Sequence, residues 1–231
     1  RAQKHHAFEE YYPWEQGYPP LAFATLAVAK LAHQGVVAVE DVRNGLRIAA
    51  RQLRTRFEAQ AGNQQVAGLA ALAWIDTVLP QDADPAAFAQ LKARTLALQH
   101  AEGWFWEYDG PDLGYLAVTI ECLWDLYDAT GDADYRTSIA RALGFMAAFP
   151  GAAPHGTGQH NSRNTDYLVP YGIIRSAIEG TTPERADAAR VAQWAFANAD
   201  RDDHTYAATD DRYICHYIGH SVMRALALLE G

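Results

Sequence analysis

The sequence predicts an all-α protein: an arc of helical hairpins, incomplete as a ring, in which apolar inner helices alternate with amphipathic outer ones. Three observations lead there. Apolar residues recur at helical spacing in nine segments, and period-2 strand patterns are essentially absent. The segments alternate between apolar on all faces and charged on one face. A polar residue stands at or just before each apolar segment after the first turn of the pattern: Glu15, Asn63, Asp112, Asp166 and Asp210, separated by 48, 49, 54 and 44 residues. A polar mark that returns about every 49 residues is how a solenoid or ring of hairpins looks in sequence.

The first helix is predicted over 19–33, with Pro19 and Pro20 in its first turn, where a missing N–H costs nothing. Leu21, Phe23, Leu26, Val28 and Leu31 supply its apolar face. The second, 39–58, carries Arg43, Arg47, Arg51, Arg54 and Arg56 around a narrower stripe of Leu46, Ile48, Leu53 and Phe57, which suits an outer helix. The third, 64–78, is nearly all apolar and so is expected to be buried on every face. The fourth, 85–101, has Asp84 as N-cap and Pro85 at its first position. The fifth, 113–129, is apolar and is broken by Gly131. The sixth, 133–148, is followed by Pro150. The seventh, 166–178, is apolar through Leu168, Val169, Tyr171, Ile173 and Ile174. The eighth runs from the Thr182-Pro183-Glu184 stretch to Ala199, and the ninth covers 212–229. No linker divides the chain, so residues 1–231 are expected to form one domain, either whole or part of a longer protein. Nine helices make four and a half hairpins. The expected ring is therefore incomplete, to be closed by a missing segment or a partner chain.

A finer repeat lies inside this pattern. Tyr11, Glu15 and Tyr18 share the spacing of Tyr108, Asp112 and Tyr115, and of Tyr206, Asp210 and Tyr213. The sets are 97 and 98 residues apart. The first two match further, since Phe8-x-Glu10-Tyr11 parallels Phe105-x-Glu107-Tyr108, and Gly17-Tyr18 parallels Gly114-Tyr115. Acids and aromatics thus collect at the starts of the inner helices, and the rim where those starts converge is the expected site.

The net charge of −9 argues against nucleic acid as a partner, because the phosphates would be repelled and no basic stripe compensates. No apolar run reaches the ~18 residues of a membrane span, so no membrane partner is expected. Cys122 and Cys215 fall in apolar helical patterns and read as small buried hydrophobes, which leaves the compartment undetermined.

Hairpins of this length, with polar and aromatic residues at the inner-helix starts, resemble the α/α-toroid proteins. That group includes terpenoid cyclases, protein prenyltransferases, glycoside hydrolases and polysaccharide lyases. The stretches Phe8-Glu9-Glu10-Tyr11-Tyr12-Pro13-Trp14-Glu15, Gly103-Trp104-Phe105-Trp106-Glu107-Tyr108 and Ser162-Arg163-Asn164-Thr165 are similar to segments of uncharacterised bacterial toroid proteins. The resemblance implies the ring and no single chemistry. The Asp-rich motifs of terpene synthases and cyclases and the zinc set of prenyltransferases are not recognisable, which turns the expectation toward saccharides.

The residue types agree with that expectation. Aromatic faces stack on the C–H faces of sugars while carboxylates bind hydroxyls. Glu15, Tyr18, Asn63, Trp106, Tyr108, Tyr115 and Tyr213 are the candidate saccharide contacts. Glycoside hydrolysis needs two carboxyls about 5–9.5 Å apart. Asp112 with Asp210 or Asp166, or Glu15 with Asp166, are the candidate pairs. The alternative is elimination, with His160 and Tyr167 moving protons while Asn161 and Arg163 hold a uronate carboxylate. These four sit in the one long irregular segment, 154–164, and at the start of the seventh helix. A third alternative uses the same rim without chemistry, as a scaffold holding a glycan or a protein. An acid at a helix start also serves simply as an N-cap. His216 and His220, at i and i+4, share a helix face but lack the adjacent Glu of a metalloprotease motif. No metal and no cofactor are expected.

Overall fold

A computed structural model describes residues 17–148, 168–196 and 219–230. Among the described residues the chain is all-helical, with three isolated bridges and no strand. The helices are α1 (Tyr18–His33), α2 (Val39–Thr55), α3 (Gly62–Val78), α4 (Pro85–Leu96), α5 (Leu113–Thr130), α6 (Ala133–Ala148), α7 (Tyr171–Glu179), α8 (Thr182–Phe196) and α9 (Gly219–Glu230). A short 3₁₀ turn, Pro80–Asp82, follows α3.

The odd helices pack on one another in chain order, α1 on α3, α3 on α5, α5 on α7 and α7 on α9. The even helices flank them, α2 on α1 and α3, α4 on α3, α6 on α5, and α8 on α6 and α7. Burial follows the apolar pattern. α3 is buried without interruption from Gln65 to Ile75, and α5 from Leu113 to Leu126. α2 buries only Leu46, Ala49, Ala50 and Leu53, and turns its arginines outward. There Arg47 holds Asp82 at 2.7 Å and Arg54 holds Asp76 at 2.9 Å.

Side-chain bonds between the odd helices fix their direction. The Tyr18 hydroxyl donates to Gln65 Oε1 at 3.1 Å, joining the starts of α1 and α3. Trp74 Nε1 donates to the Asp125 carbonyl at 3.0 Å, joining the later turns of α3 and α5. Trp124 Nε1 donates to Ser176 Oγ at 3.0 Å, joining α5 to α7. α1, α3 and α5 therefore run the same way, and their starts lie on one side of the molecule. At the α5–α7 contact Gly172 lets the backbones meet. A Cβ there would lie 2.8 Å from Ile120 Cγ2 and 3.0 Å from the Glu121 nitrogen.

Three boundaries differ from the sequence reading. The fourth helix stops at Leu96, short of 101, because Gln99 pairs with Phe105 and its amide donates to the carbonyls of Gly103 and Ser138. The second stops at Thr55, where Arg56 turns extended. The seventh begins at Tyr171, since Pro170 disfavours helix in the residue before it. The predicted starts of the seventh and ninth helices, 166–167 and 212–218, lie outside the described residues. Other signals agree with the structure. Asp84 Oδ1 accepts from the Ala87 N–H at 3.0 Å, and Gly131 ends α5 in the left-handed region at φ 67°.

Candidate functional site

The segment 97–112, between α4 and α5, brings several predicted residues to the start side of the odd helices. Its backbone is pinned to the start of α3. The Gly62 N–H donates to the Trp106 carbonyl at 2.8 Å, and the Tyr108 N–H to the Gln60 carbonyl at 2.5 Å. Gly103 sits at φ 111°, where a Cβ would lie 2.1 Å from the Arg141 carbonyl oxygen, so only glycine fits.

This frame presents a stack of aromatic rings. His100 stacks on Trp104 with centroids 4.4 Å apart, and Trp104 on Trp106 at 5.6 Å. Trp104 is buried, and its indole N–H donates to Glu102 at 3.0 Å. Trp106 is 39% exposed and Tyr108 49% exposed, two large aromatic faces left to solvent. Tyr108 also stands at φ 53°, a left-handed conformation that a bulky residue rarely adopts. Such strain persists where surrounding bonds over-determine it, and it gathers at ligand sites.

The acids at the rim are tied to backbone N–H groups. Asp112 is the N-cap of α5, its Oδ1 accepting from the Tyr115 N–H at 2.8 Å. Glu58 Oε1 accepts from the Gln60 N–H at 2.8 Å. Glu107 Oε1 accepts from the Asn63 N–H at 3.1 Å and so caps α3 from another part of the chain. Glu107 Oε2 is buried and has no hydrogen-bond partner among the described residues. Burial pushes the Glu107 carboxyl up to about 8; the bond from Asn63 opposes this, and the charges of Asp112 and Glu58 add to it. Glu107 thus carries a proton at neutral pH.

The remaining described candidates belong to the wall. Tyr18 is buried, its ring 5.4 Å from the Arg56 guanidinium, and burial raises its hydroxyl above the ordinary tyrosine range. Asn63 and Tyr115 are buried at the starts of α3 and α5. A ligand at the rim therefore meets Trp106 and Tyr108 first, not Tyr18, Asn63 or Tyr115. Glu15, His160, Asn161, Arg163, Asp166, Tyr167, Asp210 and Tyr213 lie outside the described residues, as does His216. Among the described residues no group of three His, Cys, Asp or Glu is placed to hold a metal ion.

The sequence reading placed Glu107 among the rim acids but put Asp112 forward for chemistry. The Phe-x-Glu-Tyr repeat marks Glu107.

Two expected results arise here. Asp112→Ala removes a side-chain cap and is expected to cost about 1 kcal/mol, lowering Tm by about 2–4 °C, while Asp112→Asn retains most of it. Thermal melts of the two variants check this. The second result concerns pH. Unfolded, the Glu107 carboxyl titrates near 4.5; folded, it titrates at about 8. Between those values the folded chain holds a proton that the unfolded chain has released, so stability falls as pH rises through that window. A loss of about 3–4 kcal/mol, about 7–14 °C in Tm, is expected between pH 5 and pH 8. Glu107→Gln is expected to flatten the curve and to exceed the parent Tm at pH 8.

Comparison of the chain with family models, with curated proteins and with solved structures gives no match.

Proposed function

We propose that the hairpins form an incomplete (α/α) toroid and that the chain is a carbohydrate-active protein, holding a saccharide at the rim above the starts of the inner helices. The observation that supports this best is the aromatic stack ending in solvent-facing Trp106, with Tyr108 held beside it in a strained backbone. A flat indole backed by a second indole is rigid, so little side-chain entropy is lost when a sugar ring lies on it. Because Asp112, Glu107 and Glu58 each accept a backbone N–H, the described acids act first as helix and turn caps. That favours binding over cleavage as the role of this part of the rim.

Glycosidic cleavage is the second reading, and Glu107 is the observation in its favour. A carboxyl protonated at neutral pH beside a second acid is how a general acid is prepared. In that reading a partner carboxylate comes from Asp166 or Asp210. The elimination reading rests on His160, Asn161, Arg163 and Tyr167 and is retained only as an outcome of the assay.

The experiment is a titration of tryptophan fluorescence with neutral and uronic oligosaccharides, run alongside assays for new reducing ends and for unsaturated products. Saturable quenching without products supports binding. Reducing ends that vanish in Glu107→Gln support hydrolysis, and unsaturated ends support elimination. No quenching and no product with either sugar class would overturn the proposal.

A further inference from the structure

The aromatic platform of the rim has an exposed carboxylate at each end. Antiparallel bridges at Phe105 and Glu107 hold this stretch extended, so alternate side chains point to opposite faces. Phe105 and Glu107 are buried on one face, and the stacked rings of Trp104 and Trp106 take the other. Tyr108 and Asp109 follow as the two central residues of a tight turn. The Glu107 N–H donates to the Gly110 carbonyl and the Gly110 N–H to the Glu107 carbonyl, each at 3.1 Å. The Tyr108 phenol and the Asp109 carboxylate therefore share the tip of the turn, and both are exposed. A Cβ on Gly110 would meet nothing within 4 Å, so the tip is open. At the other end Glu102 is exposed, with one oxygen accepting the Trp104 indole N–H at 3.0 Å.

We infer that this platform takes a saccharide with free amino groups, one ring lying on Trp106 and its ammonium meeting the Asp109 carboxylate at the adjoining turn. The inference rests on the saccharide reading of the rim and narrows it to one class of sugar. Asp109 is the observation that carries it. Glu58, Glu107 and Asp112 accept backbone N–H groups and Glu102 accepts an indole N–H, whereas Asp109 has no hydrogen bond or ion pair among the described residues. Aspartate favours turns by bonding the backbone two residues on. Asp109 makes no such bond, so the turn does not account for its carboxylate.

The surrounding charge points the same way. Glu58 adds a third carboxylate close to the tip, since it holds the Gln60 N–H while the Gln60 carbonyl holds the Tyr108 N–H. Among the described residues no Lys or Arg pairs with Glu58, Glu102 or Asp109. The arginines of this side are engaged elsewhere. Arg94 lies 4.1 Å from the Phe57 ring centroid, Arg56 lies over Tyr18, and Arg141 donates to the His100 carbonyl at 2.7 Å. An ammonium on a sugar ring gains a charge-assisted bond from the carboxylate and attraction from the indole face. A hydroxyl in its place gains neither to the same degree, and a uronate brings a further negative charge among three carboxylates.

The test is a tryptophan-fluorescence titration of the full chain with tetramers of glucosamine, glucose, N-acetylglucosamine and galacturonate, at about pH 6, below the titration range of amines. In about 0.01 M salt, where the screening length is ~30 Å, glucosamine tetramer is expected to bind with a Kd about tenfold lower than glucose tetramer. In about 1 M salt, where that length is ~3 Å, the ratio is expected to shrink to about twofold. N-acetylglucosamine, which lacks the charge, is expected to lose the advantage, and galacturonate to bind weakest. Asp109→Asn suits the turn equally well and is expected to lower the ratio of glucosamine to glucose affinity about threefold. Equal affinity for glucosamine and glucose, or tighter galacturonate, would overturn the inference and leave the saccharide reading standing. An unchanged ratio in Asp109→Asn would overturn the role of Asp109. A lysine tetrapeptide that binds as tightly as glucosamine tetramer would overturn the assignment to a sugar. Binding of no tetramer at all would overturn both readings.

Discussion

Trp106→Ala is expected to weaken saccharide binding by about thirtyfold, the loss of a central aromatic anchor worth ~2 kcal/mol, while leaving Tm nearly unchanged. The two halves of this expectation have one origin. Trp106 is 39% exposed and gives its outer face to solvent, so the folded core does not depend on it. Its inner face rests on Trp104, which is buried and tied to Glu102, so truncation removes a platform and opens no cavity. Trp104→Ala is the contrast. It removes the support, loses binding as well, and destabilises the fold because a buried ring is deleted. Fluorescence titrations and melts of both variants separate contact from scaffold. Unchanged affinity in Trp106→Ala would move the ligand elsewhere on the rim.

Asp125→Ala is expected to cost about 3 kcal/mol or more and to lower Tm by roughly 6 °C or more. Asp125 joins Lys30 to Arg224, and its side chain is 4% exposed. Removing it leaves two cations facing each other at the junction of α1, α5 and α9. The pair of Arg175 with Asp128 provides the contrast, because Arg175 keeps its bonds to Glu179 and the Tyr171 hydroxyl when Asp128 is removed. Asp128 is 31% exposed, and Asp128→Ala is expected to cost at most about 1 kcal/mol. The junction variant carries a second signature. The Asp125 charge helps to hold Glu121 protonated, so its loss lets Glu121 ionise at lower pH. The pH–stability curve of Asp125→Ala is therefore expected to change shape as well as height. An equal cost for Asp125→Ala and Asp128→Ala would mean that the three helices do not depend on this contact.

Much of the fold was legible because it rests on local signals. The Asp84-Pro85 start of α4, the Gly131 stop after α5, and the contrast between apolar α3 and arginine-rich α2 all follow from one-dimensional periodicity and caps. Boundaries failed where tertiary bonds decide them. Gln99 leaves the helical path to bond Gly103 and Ser138, partners that its neighbours in sequence do not reveal. Pro170 was a local signal for the late start of α7, outweighed in the reading by the apolar run around it.

The candidate site was legible in part for the same reason. The repeat located the rim and its exposed aromatics, but position alone does not show that Glu107, besides capping α3, buries an oxygen with no hydrogen-bond partner among the described residues. Glu121 and Asp125 were missed altogether, since two acids inside an apolar helix read as interruptions until Ser221 and Arg224 arrive from a distant helix.

The most direct measurement is a structure of the protein with a bound neutral or uronic oligosaccharide. The expected result is a sugar ring lying flat on the Trp106 indole beside Tyr108, with the chain of sugars crossing the starts of α3 and α5. An unoccupied Trp106 face at saturating oligosaccharide, or sugar bound only away from the rim, would contradict the account.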